Sequence, residues 1–401
     1  MTSMNSNDEI VIVGMSRTPI GNFQGELSNK TGPDLGGSAI EAAIKNSKIS
    51  PSDIDDVIMG CVLPAGLGQA PARQAALSGG IPLSSGATTV NKMCGSGMRS
   101  LMLAVDQLIA GSSSISVAGG FESMTNAPYL LDKARAGYRM GNGKIYDHMF
   151  LDGLEDSIES PGKLMGSFAE DTAQEYQFTR EQQDNFAIES LRKAKKANED
   201  GSFKKEIVPI TVKSRKSETI IEKDELPFKA KIDKIPQLRP AFRDGGSVTA
   251  ANSSAISDGA AALVLMLKST AEKKGLKPLA KIVGHSTHSQ EASKFTTAPI
   301  GAIKKLYEKI NWSSKDVDLY EINEAFAVVT MAAMRDLNLD QSIVNIHGGA
   351  CALGHPIGAS GSRIVVTLYN ALLKNNLNKG IASLCIGGGE ATAVAIELIA
   401  A

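Results

Sequence analysis

Hydrophobic positions along this chain alternate between short unbroken runs and helical spacings, and the alternation occurs twice. Residues 9–14, Glu-Ile-Val-Ile-Val-Gly, are apolar and rich in β-branched side chains, which predicts a strand. Over 36–49 the apolar positions Ala39, Ile40, Ala43 and Ile44 fall at helical spacing. Ser50-Pro-Ser-Asp-Ile-Asp-Asp-Val-Ile-Met-Gly60 then predicts a turn followed by a strand. The same succession begins again after Leu279. Ala280-Lys-Ile-Val-Gly284 reads as an opening strand, and 298–310 as a helix with Ile303, Leu306, Tyr307 and Ile310 on one face. Ser313-Ser-Lys-Asp-Val-Asp-Leu-Tyr-Glu-Ile322 follows as turn and strand. Asp53-Ile54-Asp55 and Asp316-Val317-Asp318 occupy matching places in the two copies.

The correspondence continues. Gly95-Ser-Gly97 opens a helix through Ile109, with Leu101, Met102, Val105, Leu108 and Ile109 as its apolar positions, and the strand Ile115-Ser-Val-Ala-Gly-Gly120 comes next. In the second copy Ala359-Ser-Gly-Ser362 opens a helix through Leu373, followed by Ile381-Ala-Ser-Leu-Cys-Ile-Gly-Gly-Gly389. Any two α/β segments share some features, but four in the same order favour duplication. Alternating strands and helices predict parallel sheet with helices on its faces. Two such units can share a layer of helices, with loops meeting at their seam. Residues 125–248 break the rhythm. They are charged and irregular apart from an amphipathic helix over 179–200, and read as a long insertion in the first unit. Residues 252–267, ending in Ala260-Ala-Ala-Leu-Val-Leu-Met-Leu267, read as that unit's last helix and strand.

A chain of 401 residues is too long for one core, so at least two domains are expected. The 39 glycines point to tight turns and close backbone approach. A net charge of -1 removes any global electrostatic case for nucleic acid or a membrane surface, so an anionic ligand must meet a local patch. No apolar run is long enough to span a bilayer. The polar, acidic start carries no secretory pattern, and the cysteines, Cys61, Cys94, Cys351 and Cys385, are widely spaced. Free thiols in a reducing cytoplasm are the expectation.

Four segments carry candidate chemistry. In Val90-Asn-Lys-Met-Cys-Gly-Ser-Gly-Met98, Cys94 lies between an extended run and a helix start. The helix's partial positive charge and free N–H groups favour the thiolate. The glycines admit a substrate to the backbone, whose N–H groups could hold an oxyanion. A buried inert cysteine is the alternative, and the Gly-Ser-Gly flank favours the nucleophile. In His347-Gly-Gly-Ala-Cys-Ala-Leu-Gly-His-Pro-Ile-Gly-Ala-Ser-Gly361, His355 is stiffened by the following proline and suits a proton acceptor for a cysteine. His347 is expected to play a backbone-bonded structural role. In Leu384-Cys-Ile-Gly-Gly-Gly-Glu390, Cys385 is a second thiol able to move a proton at carbon, or else a core cysteine on a buried strand. In Tyr320-Glu-Ile-Asn-Glu-Ala-Phe-Ala327, Asn323 either orients a water or caps the next helix. No Cys/His pair has zinc spacing, so no metal is expected.

Together these segments resemble the thiolase family, and the resemblance covers essentially the whole chain. Ser16-Arg-Thr-Pro-Ile-Gly21, Leu238-Arg-Pro-Ala-Phe242, Ser247-Val-Thr-Ala-Ala-Asn-Ser-Ser254 and Ser257-Asp-Gly-Ala-Ala261 are similar to it as well. It implies an α/β fold of duplicated βαβαβαββ halves in five layers, α-β-α-β-α, with an inserted loop domain. The implied division is 1–124 plus 255–278 for the first half, 125–254 for the loop domain, and 279–401 for the second half. It also implies an acyltransferase that condenses two acetyl-CoA to acetoacetyl-CoA and CoA through an acetyl-Cys94 intermediate. His355 would activate Cys94 and donate to the thioester oxygen. Asn323 would hold a water in that oxyanion hole, and Cys385 would take the α-proton. The N–H groups of Cys94 and Gly387 would form a second oxyanion hole. Ser254 would contact the pantetheine arm and Met165 would line its tunnel. Coenzyme A and acetyl-CoA are then substrates, with no permanent cofactor, and a homotetramer is implied.

Some positions depart from the family's commonest pattern. His347 replaces Asn, Glu390-Ala-Thr392 replaces Gln or Met and then Gly, and Leu164 replaces the His of the acetyl-CoA acetyltransferase branch. That branch's loop-domain Arg has no clear counterpart, leaving Lys229, Lys231 and Lys234 as candidates for the CoA phosphates. Two other readings remain: a degradative 3-ketoacyl-CoA thiolase of broader chain length, and a non-catalytic acyl-CoA or lipid-binding relative, against which the joint presence of Cys94, Asn323, His355 and Cys385 speaks.

Overall fold

The computed structural model describes residues 8–213 and 217–399. Its main feature is a ten-stranded sheet. From one edge the strands run Gly86–Val90, Asp56–Gly60, Ile115–Ser123, Ser257–Leu267 and Ile10–Arg17, then Ala280–Ser289, Glu390–Leu398, Lys379–Ile386 and Leu319–Ile322. The short strand Gly21–Asn22 pairs alongside Ser257–Leu267. Outward from the middle, each half runs first strand, last, penultimate, second, so the duplication is present in the topology. The second half keeps only a bridge from Tyr320 to Val344 where the first has the edge strand Gly86–Val90. The halves join through Val11–Lys281 and Ile12–Ala280.

Both opening strands bulge at the same place, between Ile12 and Gly14 and between Ile282 and Gly284. A Cβ on Gly14 would lie 2.3 Å from the Ala43 carbonyl oxygen, and one on Gly284 would lie 2.6 Å from Ile310 Cγ2. Each bulge glycine therefore lets the following helix lie directly on its strand.

Direction of pairing departs from the sequence expectation. Only Asp56–Gly60 with its two neighbours, and Leu319–Ile322 with Lys379–Ile386, are parallel. In the second half the turn Gly387–Gly389 joins Lys379–Ile386 to Glu390–Leu398, and so tight a turn can only return antiparallel. In the first half the long insertion takes the place of that turn, and Ser257–Leu267 returns antiparallel to Ile115–Ser123.

Strand alternation sorts side chains between layers. Ile10, Ile12, Leu263 and Leu265 of the first half, with Leu384, Val394 and Ile396 of the second, face the helices Ser96–Ala110 and Ser360–Lys374 at the centre. Val11, Val13, Val264 and Met266 face the outer helix Gly32–Ser47. Ile381, Ala391, Ala393 and Ala395 face the outer helix Ala298–Ile310. The result is five layers, helix–sheet–helix–sheet–helix. The first outer helix starts earlier than its apolar spacing suggests, because Thr31 and Asp34 form a capping box and Pro33 suits the first turn.

Among the described residues between Ile115–Ser123 and Ser257–Leu267, none forms a strand of the large sheet. This stretch holds two small ribbons and the helices Met165–Glu175 and Arg180–Glu199, the latter capped by Thr179 as its spacing predicts. The helix expected just after residue 252 is absent. Asn252 instead accepts from the Thr249 N–H and donates to Asp184 and to the Ser247 carbonyl, so side-chain bonding to the backbone wins over helix formation. No helix among the described residues is long and apolar enough to cross a membrane.

Candidate active site

Four loops carry the expected residues, and at the seam the Cys94 loop of the first half meets the Cys385–Gly387 turn of the second. The first is the turn between Gly86–Val90 and Ser96–Ala110. The Ser96 hydroxyl accepts from the Lys92 N–H at 2.9 Å and donates to the Met93 carbonyl at 2.7 Å. Met93 is held at φ 48°, a left-handed conformation unusual for a side chain of its size and often found beside reactive groups. This turn leaves Cys94 partly open to solvent while packing it against Val62, Leu63 and Ile357. Burial pushes the Cys94 thiol up to about 11, against the pull of the Gly387 N–H and its own N–H, and Glu122 adds to the rise. The expected preference for thiolate is therefore not met. Proximity to a helix start is outweighed by desolvation.

A thiol held neutral needs a base. His355 Nδ1 lies 2.5 Å from the Ser360 hydroxyl, which itself donates to the Pro356 carbonyl at 3.0 Å. With that hydroxyl proton committed, Ser360 accepts from Nδ1–H, and the lone pair rests on Nε2. Nε2 is buried and without a partner. Burial, with Arg363 nearby, holds the imidazole at about 3, so it is neutral at physiological pH and its Nε2 lone pair is free.

Asn323 follows the strand Leu319–Ile322, and both polar atoms of its buried amide lack partners. It is not a helix cap. The next helix is Ala327–Asp336, its N-cap position is Phe326, and no side chain caps it. A buried amide with two unmet hydrogen-bonding atoms suits a bound water or a substrate oxygen. The neighbouring Glu324 is already committed, accepting from Ser190, Asn345 and the Cys351 N–H.

Cys385 is buried at the end of Lys379–Ile386, and burial, followed by the neighbouring Cys94, pushes its thiol well above the ordinary range. Beyond it the chain turns through Gly388 at φ 91° and Gly389 at φ 85°, which brings the Gly387 N–H to Cys94. Lys92 Nζ meets Glu390 Oε2 at 2.6 Å, so the departure at Glu390 ties the Cys94 loop to this turn. Ser254 donates its backbone N–H to the Ala325 carbonyl, and the Ala255 carbonyl accepts from the His355 N–H; the segment thus bridges the Asn323 and His355 loops. Met165 begins the helix Met165–Glu175. With Met93, Ile158, Gly387 and Gly388 it lines a cavity of about 170 Å³.

A second cavity, of about 250 Å³, is lined by Leu226, Lys231, Lys234, Leu238, Ala251 and Ala255 among others. Lys229 is engaged by Glu225 and does not line it. A larger groove of about 1170 Å³, beside the helices Arg180–Glu199 and Ala327–Asp336, contains none of the expected site residues. His347 does not meet the expectation of a backbone bond. Its Nδ1 is buried without a partner, its ring meets Phe203 edge-on at 5.7 Å, and burial lowers it to about 4. No cluster of potential metal ligands occurs among the described residues.

Sequence reasoning missed Ser360, although it falls within the His355 segment, and Glu122. The signal for Glu122 was a carboxylate inside an otherwise apolar strand just after Gly119 and Gly120.

Comparison with known proteins agrees with this geometry. The description "Thiolase, N-terminal domain" matches residues 10–269, and "Thiolase, C-terminal domain" matches residues 276–398. The chain belongs to the thiolase family. The junction between the two matched regions falls where the first half of this thiolase gives way to the second. An acetyl-CoA acetyltransferase of Escherichia coli is 47% identical over 389 residues, covering 96% of this chain and 98% of that protein. The crystal structure of the Bacillus anthracis acetyl-CoA acetyltransferase superposes with a TM-score of 0.95 at 42% identity, covering 98% of this thiolase and 99% of that chain. A thiolase from Ascaris suum in complex with coenzyme A gives 0.92 at 41% identity, covering 98% of this chain and 100% of that one.

Proposed function

We propose that this thiolase is an acetyl-CoA C-acetyltransferase, catalysing reversible condensation of two acetyl-CoA to acetoacetyl-CoA and CoA. The observation that carries the reading is the meeting of two thiols, Cys94 and Cys385, in a chain that also keeps His355 Nε2 and the Asn323 amide buried without partners. The names of the relatives support the same reaction.

In the proposed mechanism His355 Nε2 takes the Cys94 proton as sulfur attacks the carbonyl carbon of the first acetyl-CoA. The departing CoA sulfur takes the Cys385 proton, leaving acetyl-Cys94, a Cys385 thiolate and protonated His355. The upward-shifted Cys385 thiolate is a strong base and removes a proton from the methyl carbon of the second acetyl-CoA. Protonated His355 and a water on Asn323 stabilise the enolate oxygen. The enolate carbon attacks acetyl-Cys94, and the N–H groups of Cys94 and Gly387 hold the resulting oxyanion. Collapse releases acetoacetyl-CoA, and Cys94 recovers its proton from His355.

The small cavity beside Met93, Met165 and Gly387 suits a short acyl group. The second cavity, with Lys231, Lys234 and Ala255 at its wall, suits the CoA arm, and Ser254 is the chain neighbour of Ala255. Tyr129, Leu131, Met140 and Ile145 are exposed large apolar residues of the insertion, which suits tetramer contacts. Light scattering reporting four chains supports that assembly, and a single-chain mass rejects it.

The deciding experiment is CoA-dependent cleavage of acetoacetyl-CoA beside a longer 3-ketoacyl-CoA, with Cys94→Ala and Cys385→Ala as controls. Preference for acetoacetyl-CoA, abolished by both substitutions, supports the proposal. Preference for the longer substrate moves the protein to the degradative branch. No cleavage of either by folded protein rejects the enzyme assignment.

A further inference from the structure

We infer that Glu122 is a positioning residue of the reaction: its buried carboxylate clips the His355 loop of one half to the wall of the Cys94 site in the other. Glu122 lies near the end of Ile115–Ser123 and is 1% exposed. One oxygen, Oε2, accepts from the Val62 N–H and the Gly358 N–H, both at 2.9 Å. The other, Oε1, accepts from the Leu63 N–H at 3.1 Å and lies 3.5 Å from Cys61 Sγ. Val62 and Leu63 belong to the apolar cluster against which Cys94 packs, and Gly358 is the third residue after His355. A single carboxylate thus fixes the spacing between the nucleophile's surroundings and the base.

The fit leaves no slack. A Cβ on Gly358 would lie 2.6 Å from Glu122 Oε2 and 2.5 Å from the Phe121 carbonyl oxygen. Both oxygens act as acceptors, an arrangement that suits the ionised form. Burial pushes the carboxyl up to about 7, against the pull of the three N–H donors and the Cys61 thiol. A buried charge of this kind is costly unless its bonds are all made. It also opposes ionisation of Cys94. That is the wrong direction for activating a thiol, so the role of Glu122 is geometric and not the generation of thiolate.

This inference rests on the assignment of Cys94 and His355 as the reacting pair. Its test compares wild type, Glu122→Gln and Glu122→Ala. The readouts are kcat and KM for acetoacetyl-CoA cleavage, the thermal midpoint, and the rate of Cys94 alkylation mapped by peptide mass. Glutamine keeps an oxygen for two of the three N–H donors, whereas alanine keeps none. The expected kcat loss is about 10-fold for Gln and on the order of 100-fold for Ala, with KM within about twofold, because misplacement of reacting groups and not binding is at stake. Alkylation of Cys94 is expected to quicken in both variants as the opposing charge is removed, so thiol reactivity rises while turnover falls. If Glu122→Ala does not fold, the Gln variant still carries both readouts. A kcat within twofold of wild type in a folded variant, a rise in KM alone, or slower alkylation overturns the inference. Wild type without thiolase activity but with accelerated alkylation in the variants overturns the reaction assignment and leaves the opposition of Glu122 to Cys94 ionisation standing.

Discussion

At the scale of single residues, burial favours the neutral forms of both Cys94 and His355 over a preformed ion pair. The sign follows from burial. Desolvation disfavours each charged form, raising the thiol to about 11 and lowering the imidazole to about 3. Thiolate is then scarce at neutral pH and grows about tenfold per pH unit well beyond it. Iodoacetamide labelling of Cys94 in substrate-free protein is therefore predicted to keep rising between about pH 7 and pH 9 without levelling. A plateau below about pH 8 would show a low-pKa thiolate and contradict the neutral thiol. Cys94, His355 and Cys385 stood out in the sequence as candidates because glycine-flanked Cys and Pro-flanked His are local patterns. The direction of the Cys94 shift, the Ser360 bond that sets the His355 tautomer, and the Glu122 clip were not. Each depends on burial or on partners brought in from elsewhere in the fold.

At the scale of elements, the two central helices must approach closely at their first turns, because these turns carry both halves of the chemistry. A Cβ on Gly97 would lie 2.8 Å from Ser362 Oγ, and one on Gly361 would lie 2.4 Å from the Met98 nitrogen. Gly361→Ala is predicted to push the helices apart and to destabilise the protein by roughly 1–3 kcal/mol, the usual cost of overpacking. Activity should fall further than stability, because His355 and Cys94 sit at the ends being separated. Thermal unfolding and acetoacetyl-CoA cleavage measured on the same sample check this, and unchanged activity with lowered stability would contradict it. Helix and strand positions were legible from apolar spacing, and the repeat from the order of elements. The direction of strand pairing was not. Spacing reports which face is buried, while direction is set by the connections, here a three-glycine turn in one half and a long insertion in the other.

At the scale of the whole molecule, neither half contains the whole of the proposed site. Cys94 belongs to the first half, and His355, Asn323, Cys385 and Gly387 belong to the second. The insertion is anchored to the first strand through Arg17, fully buried between Glu206 at 2.5 Å and Asp224 at 2.7 Å. Arg17→Ala leaves two carboxylates buried without their cation and is predicted to cost about 3–5 kcal/mol, read by chemical denaturation. A loss below about 1 kcal/mol would show that the insertion is held in other ways. The central claim is that the seam passes an acetyl group through one cysteine of the first half. The most direct test is to mix the protein with acetyl-CoA, quench in acid, digest, and locate the acetyl group by peptide mass spectrometry. The account predicts acetyl on Cys94, present in wild type and absent from Cys94→Ala. Acetylation of Cys385 in place of Cys94, or of neither thiol in protein that turns over, would contradict it.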